Sequence, residues 1–191
     1  MAHRVQLPSE GSTMLYDMTV PAYVNGLNAL SAQLDKARAW GADNGVGEQQ
    51  LLAARLAPDM FPLAAQIRFA CMQAVQPATR LGAAGAPGFA EDGADFAALQ
   101  AQIADALAWL GGIDRSSVEG EADRPVSFDL PNGMVFDMTA LTYVRDWAQP
   151  QFYFHLVAAY AILRHMGAPL GKADYVGYMM AYLRPGTAPT G

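Results

Sequence analysis

The clearest amphipathic pattern lies near the end of the chain, in the run QFYFHLVAAYAILRHMG over residues 151–167. Apolar residues recur there every three or four positions, as on the buried face of an α-helix. They are Phe152, Leu156, Ala159, Ile162 or Leu163, and Met166. Pro150 precedes the run, where a missing N–H costs nothing, and Gly167 follows it, as a left-handed cap would. The pattern predicts one helix over residues 151–167.

Three earlier stretches repeat apolar residues at the same spacing and predict three more long helices. These helices are Val20 to Trp40, Phe61 to Gln76 and Phe96 to Leu110. Their predicted capping residues are Thr19, Asp59 and Asp95, and their predicted stops are Gly41, Pro77 and Gly111 with Gly112. The inner face of the second helix is predicted to consist of Leu63, Ile67, Ala70, Cys71 and Ala74.

Shorter elements are predicted between and after these helices. Glu48 to Ala57 reads as a short helix, and the Gly- and Ala-rich stretch Leu81 to Asp92 reads as a flexible connection. VSFDL and MVF flank Pro131-Asn132-Gly133, and Asn-Gly between β-prone runs is a strong hairpin signal. Thr139 is expected to cap a short helix to Ala148, and Asp174 a last one over YVGYMMAYL.

The pattern as a whole indicates an all-α protein, a four-helix bundle with long connections and a small β-hairpin near residues 126–136. One domain is expected over residues 14–183. The polar residues 1–13 are predicted to form a flexible arm, and the composition of residues 184–191 is typical of a disordered tail.

Composition narrows the classes of partner. Of the 191 residues, 52% are hydrophobic and 16% charged, so the chain should fold rather than stay disordered. The net charge of −6 argues against nucleic acid, because phosphate binding needs a basic face. No apolar run has the length of a membrane span, and no secretory leader is recognised. The single cysteine, Cys71, excludes an internal disulfide and favours a reducing, cytoplasmic setting.

The usual motifs of enzyme and metal sites do not occur in the sequence. There is no HExxH, CxxC, GxSxG, EF-hand loop or dinucleotide fingerprint. One of the three histidines, His3, lies in the predicted arm, so three histidines cannot assemble a zinc site within the bundle. The helices are poor in acidic residues and lack a Glu-x-x-His pair, which disfavours a di-iron site. The inventory therefore predicts no cofactor, and a divalent metal is the disfavoured alternative.

The functional prediction depends on His155. On the predicted helix it points with small and apolar neighbours, either as a core histidine with one hydrogen bond or as a residue that faces a ligand. A neutral imidazole can act as a general base near pH 7, which makes His155 the candidate catalytic residue. His165 lies in the last turn and is interpreted as a helix-end residue helped by the helix dipole.

Five further polar side chains are candidates for ligand binding around His155, because buried amides and hydroxyl groups can orient a ligand by hydrogen bonds. They are Gln151 and Tyr153 from the same helix, Gln66 and Gln73 from one face of the second helix, and Tyr16. The alternative is a satisfied polar network inside the bundle that binds nothing.

Four stretches of the chain together resemble a known family. They are MLYDMTVPAYVNGLNALSAQLDKA, LAPDMFPLAAQIRFAC, FAALQAQIADALAWL and QFYFHLVAAYAILRHMGAPLGKADYVG, which span residues 14–177 with gaps. They resemble an uncharacterised domain-of-unknown-function family in the DinB/YfiT-like clan of metalloenzymes. The resemblance implies a DinB-like four-helix bundle. It also implies a homodimer, since dimers are common in that clan.

The resemblance also implies a degraded metal site. Clan members typically bind a divalent metal with one histidine from the second helix and an H-x-x-x-H pair on the last. Close relatives usually carry Ala-Cys-Asp-His-Ala where this chain has Ala70-Cys71-Met72-Gln73-Ala74. Gln73 thus stands at one histidine position and Gln151 at another, and only His155 remains. The clan's metal-dependent thiol-transferase and isomerase activities therefore do not carry over.

Two functions from different classes remain open at this point. In the first, the bundle keeps a pocket around His155, Gln73 and Gln151. That pocket binds an unknown small molecule, or performs acid–base chemistry on it, without a metal. In the second, the protein is a non-catalytic dimeric interaction module with a vestigial site. A metal-dependent enzyme like other clan members is a further alternative. A solvent-open pocket at His155 would favour the first function, and a filled core with an apolar patch elsewhere the second.

Overall fold

The computed structural model describes residues 14–89 and 91–187 of the chain. In chain order the elements are α1 Leu15–Asn44, α2 Glu48–Ala53, α3 Leu63–Arg80, α4 Phe96–Gly111, α5 Arg115–Val118, β1 Pro125–Asp129, β2 Val135–Thr139, α6 Ala140–Thr142, a π-helical segment Tyr143–Ala148, α7 Gln149–His165, α8 Lys172–Tyr175 and a 3₁₀ segment Gly177–Tyr182. Helices α1, α3, α4 and α7 pack together around one apolar core. The predicted all-α four-helix bundle is confirmed.

The β-hairpin is also confirmed. Strands β1 and β2 pair antiparallel, with Phe128 opposite Phe136, and Gly133 in the turn has a φ of +86°, which glycine adopts without strain. Phe128 packs against Trp147, their ring centres 5.0 Å apart, so the hairpin is fastened to the π-helical segment.

The inner face of α3 follows the predicted pattern. Its five expected core residues are buried without measurable exposure: Leu63, Ile67, Ala70, Cys71 and Ala74. The start of α4 is confirmed as well, since the Asp95 carboxylate accepts a hydrogen bond from the Ala98 N–H at 2.7 Å. Local periodicity and one side-chain cap were sufficient to predict these features.

The predicted bounds of α1 are wrong at both ends. The helix begins before Thr19, whose hydroxyl donates to the Leu15 carbonyl at 2.7 Å instead of capping the helix. Gly41 lies inside the helix and is buried. A Cβ at this position would come within 2.9 Å of the Val46 carbonyl oxygen, so the packing there requires glycine. The left-handed cap is Gly45, with a φ of +70°. Gly41 thus serves close packing, which a local pattern does not distinguish from a helix stop.

The bounds of α2 and α3 also differ from the prediction. Helix α2 ends at Ala53, short of Ala57. Pro62 takes the capping position of α3 in place of Asp59, and the helix continues through Pro77 to Arg80. Proline removes one helical hydrogen bond, here the one to the Gln73 carbonyl, but Pro77 is itself buried in the bundle. Tertiary packing therefore outweighs the local helix-breaking tendency.

Helix α7, predicted over residues 151–167, starts earlier than predicted, at Gln149, and is closed by Gly167 as predicted. Thr139 does cap a helical turn, accepting from the Thr142 N–H at 3.2 Å, but that turn runs through the π-helical segment directly into α7. At the other end Gly167 has a φ of +107°, its N–H donates to the Arg164 carbonyl at 3.1 Å, and the Ala168 N–H reaches the Leu163 carbonyl at 3.1 Å. This is a Schellman motif, which closes α7.

The C-terminal segment differs from the prediction too. Helix α8 starts at Lys172, and Asp174 lies within it, accepting from the Gly171 N–H at 2.6 Å. The predicted arm over residues 1–13 and the last four residues of the predicted tail lie outside the described residues. Within the described part of the chain, no helix combines the length and apolarity needed to cross a bilayer.

Helices α1 and α7 approach closely at Gly26, and this contact generates a first prediction. A Cβ on Gly26 would lie 2.8 Å from the Phe152 ring, which is itself fully buried. We expect Gly26→Ala to lower the free energy of unfolding by about 1–3 kcal/mol, as over-packed cores do. Thermal or urea unfolding measures this.

The matched control is Gly111→Ala, at the exposed end of α4, where nothing lies within 4 Å of the new Cβ. Alanine favours a helix over glycine by about 0.5–1 kcal/mol, so this variant should be at least as stable as the parent. Equal stability of the two variants would contradict the close packing of α1 on α7.

Candidate functional site

His155 lies on the face of α7 that packs against α3. Its Nδ1 is 2.8 Å from Oε1 of Gln66 on α3, and the two side chains are 8% and 1% exposed. This pair is a polar contact within a seam that otherwise consists largely of apolar and small side chains. The structure thus brings together two of the residues that the sequence singled out.

The hydrogen bonds around Gln66 fix which nitrogen of His155 carries the proton. Nε2 of Gln66 donates to the main-chain carbonyl of Phe61 at 3.2 Å. A carbonyl can only accept, so the amide nitrogen must face Phe61 and the amide oxygen must face His155. Nδ1 of His155 is therefore the donor, and in the neutral ring Nε2 keeps its lone pair. Nε2 makes no hydrogen bond with any residue that the structure describes.

Burial, as the larger cause, and the positive charge of nearby Arg68 together lower the pKa of His155 to about 4. The imidazole is therefore neutral at physiological pH. A neutral ring with a bonded Nδ1–H presents Nε2 as a hydrogen-bond acceptor.

Gln73 lies on the same side of α3 as Gln66. Gln66, Gln73 and Arg80 follow one another at intervals of seven residues, which is nearly a whole number of helical turns. Gln66 contacts His155, and Nη1 of Arg80 donates to the Tyr143 hydroxyl at 3.0 Å. Because both ends of this row touch the same helical stretch, Gln73 lies between them on the side of the seam. The main-chain carbonyl of Gln73 also lacks its usual helical hydrogen bond from the residue four positions later, because that residue is Pro77, which has no N–H.

Gln151 precedes His155 by one helical turn and lies beside an open cleft. The cleft has a volume of about 360 Å³ and is lined by Pro150, Gln151 and Phe154. The ring of Phe154 meets His155 edge to face, with ring centres 5.3 Å apart. Gln151 and Gln73 are half-buried, and their side chains form no hydrogen bond within residues 14–89 and 91–187. Both amides therefore retain donors and acceptors.

The two tyrosine candidates lie in other surroundings. Tyr153 packs edge to face on Phe152 at 5.3 Å and lies near Tyr178 of the C-terminal segment. Tyr16 is in the first turn of α1, where the guanidinium of Arg115 lies 4.5 Å from its ring centre. No contact of the described residues joins either ring to His155.

The sequence interpretation missed a row of aromatic rings around His155. Phe69 stacks on the imidazole with centres 5.0 Å apart, and Phe61 meets Phe69 edge to face at 4.9 Å. Phe61 and Phe154 at the two ends of the row are 57% and 58% exposed. The available signal was the spacing of Phe69, three residues after Gln66 on the predicted helix.

Other reactive groups lie elsewhere or are inert. Cys71 is buried on the inner face of α3, and burial raises the pKa of its thiol to about 12, so it packs as a small apolar side chain. Among the described residues, no group of three or more His, Cys, Asp or Glu side chains comes together in a way that could hold a metal ion.

The lowered pKa of His155 predicts a pH dependence of stability. The ordinary pKa of 6.5 applies in the unfolded chain and about 4 in the folded protein, so the unfolded chain binds the proton first. Stability is fully present above pH 6.5 and should fall by about 2–3 kcal/mol as the pH drops towards 4. In His155→Gln, whose amide can still donate to Gln66, this contribution should vanish. Urea unfolding of parent and variant across pH 4–8 gives the difference.

His165→Gln serves as the control, because His165 is exposed in the last turn of α7. It should keep the pH slope of the parent protein. If His155→Gln keeps that slope as well, His155 is not buried in its neutral form.

The chain is similar to known proteins in sequence and in fold. The family profile described as Domain of unknown function (DUF1993) matches residues 15–176. The chain is also similar to the 1.83 Å crystal structure of a DinB family member from Shewanella denitrificans, with 33% sequence identity, a TM-score of 0.76, and coverage of 92% of this chain and 96% of that one. A search of curated proteins gave no match. The protein is a DinB-like member of the DUF1993 family.

Proposed function

We propose that this protein binds a small organic molecule at the seam between α3 and α7, around His155, without a divalent metal. The observation that carries the proposal is the chain of hydrogen bonds from the Phe61 carbonyl through Gln66 to Nδ1 of His155. It leaves Nε2 as an acceptor. The ring of Phe154, which meets His155 edge to face, lines an open cleft together with Gln151, and the side-chain amides of Gln73 and Gln151 have no partner among the described residues. A reducing cytoplasmic setting, favoured by the single buried Cys71, is part of the proposal.

The properties of His155 favour binding over acid–base catalysis. A general base works best when its pKa lies near the working pH. With a pKa of about 4, the imidazole holds a proton too weakly to remove one efficiently from a substrate at neutral pH. A hydrogen-bond acceptor needs no such match. We therefore place His155 in the role of a ligand-orienting residue, with Gln73 and Gln151 as further ligand contacts.

The residues at the seam do not fit the divalent metal of the wider DinB clan. Zinc and related ions take imidazole, thiolate or carboxylate ligands. Among the described residues, the seam offers one imidazole, His155, and the neutral amides of Gln66, Gln73 and Gln151. The charge that acts on His155, that of Arg68, is positive. This donor set provides no negative charge for a dication.

A screen of small molecules by thermal shift tests the proposal. A ligand at a hundredfold excess over its Kd stabilises the folded state by about 2.7 kcal/mol, which raises the Tm of a protein of this size by several degrees. We expect hits whose shift is lost in His155→Ala and kept in His165→Ala. Elemental analysis of the purified protein should find Zn, Ni and Fe far below one atom per chain.

Two results would overturn the proposal. One is a stoichiometric metal that disappears in His155→Ala, which would restore a metal-dependent function. The other is a screen in which every hit shifts parent and His155→Ala equally.

An interaction module remains the second candidate, because one observation favours it. Val157 on α7 and a run of residues in the 3₁₀ segment and just after it form exposed apolar positions. These residues, beside Val157, are Tyr178, Met179, Met180, Tyr182 and Leu183. Exposed apolar groups in this number are typical of protein interfaces, and a homodimer is the partner that the resemblance implies. Sedimentation of the parent and of Val157→Asp/Met180→Asp tests it: the parent should be dimeric and the variant monomeric.

A further inference from the structure

We infer that the molecule bound at the α3–α7 seam is an uncharged aromatic compound that carries a hydrogen-bond donor, of which phenols are the simplest class. This inference rests on the proposed binding function and adds the chemical class of its ligand. Three independent features of the seam lead to it.

The first feature is the row of rings Phe61, Phe69, His155 and Phe154. Neighbouring centres are 4.9, 5.0 and 5.3 Å apart, with two edge-to-face contacts around one stacked pair. More than half of the surface of each end ring is exposed, although burying a phenylalanine stabilises a protein by about 1.5–3 kcal/mol. Phe154 also lines the cleft beside Gln151. An aromatic ligand in that cleft would extend the row with the ring geometry that aromatic groups prefer.

The second feature is the fixed polarity of the hydrogen-bonding groups. Gln66 is held by the Phe61 carbonyl, so His155 must donate from Nδ1 and can only accept at Nε2. A ligand that supplies an O–H or N–H satisfies this acceptor, whereas an ether or a carbonyl in that place would leave Nε2 without a partner.

The third feature is the charge around the rings. The guanidinium of Arg68 lies 4.3 Å from the Phe69 ring centre, and its positive charge already acts on His155. A cationic ligand would meet that charge. Arg68 is in turn paired with Asp92 at 2.6 Å, so an anion finds no free counter-charge there. Of the described residues, those that line the cleft are Pro150, Gln151 and Phe154, and none of the three is charged. Because a charge removed from water needs a partner, the site favours a neutral ligand.

A matched set of four probes tests the inference by isothermal titration calorimetry on the full chain. They are 4-methylphenol, 4-methylanisole, 4-methylbenzylamine and 4-methylbenzoate, which share one ring and differ in donor and charge. We expect 4-methylphenol to bind at least about tenfold more tightly than 4-methylanisole, the usual effect of one acceptor left unpaired. The two charged probes should bind more weakly than the phenol.

The variant His155→Phe keeps an aromatic ring in the row and removes the acceptor. It should bind the phenol and the ether equally, while His165→Phe keeps the tenfold preference of the parent. Circular dichroism and the Tm confirm that each variant is folded. Should His155→Phe not fold, His155→Leu, whose side chain also has no acceptor, replaces it and should also lose the preference.

The remaining outcomes separate the two proposals. Equal binding of phenol and ether by the parent, or tighter binding of the amine or the benzoate, would overturn the inference about the ligand. If none of the four probes binds but a non-aromatic hit of the thermal-shift screen depends on His155, the aromatic class is wrong and the binding function stands. If nothing depends on His155 in either experiment, both proposals fall.

Discussion

The hydrogen bond between Nδ1 of His155 and Oε1 of Gln66 joins two helices through their interior, and the character of the candidate site depends on it. Without it, the buried imidazole of His155 and the buried amide oxygen of Gln66 would each lack a partner, at a cost of about 1–3 kcal/mol per group. With it, the main-chain carbonyl of Phe61, just before α3, determines which ring nitrogen of His155 on α7 carries the proton. A main-chain group outside the bundle core thus decides which nitrogen of His155 is available.

The same contact explains why so much of the fold follows from simple patterns while the details of the site do not. The inner face of α3, the Asp95 cap, the Asn-Gly hairpin and the Gly167 cap are local features, each encoded within a few neighbouring residues. They are predictable because spacing and cap chemistry act locally. The selection of His155 and Gln66 also came from spacing, since each shares a helical face with apolar residues.

The sequence prediction was wrong where packing between elements, and not the local sequence, determines the structure. Gly41 resembles a helix stop, but it is the point at which α1 meets the chain near Val46, and Pro77 resembles a breaker, but it is buried within α3. The aromatic row was missed for a related reason. Phe61, Phe69 and Phe154 come from two distant parts of the chain, and only the packing of α3 on α7 brings their rings to His155.

The π-helical segment Tyr143–Ala148 has a consequence for comparing this chain with its relatives. A wide turn of this kind holds one residue more than the α-helix around it, so it changes the side-chain phase between the hairpin and α7. A relative without the extra residue keeps the hairpin contact, and keeps its equivalent of His155 facing α3, only if its deletion lies within this turn. An alignment that places the gap elsewhere would pair residues from different helix faces, and a site residue in one sequence would be read as a core residue in the other.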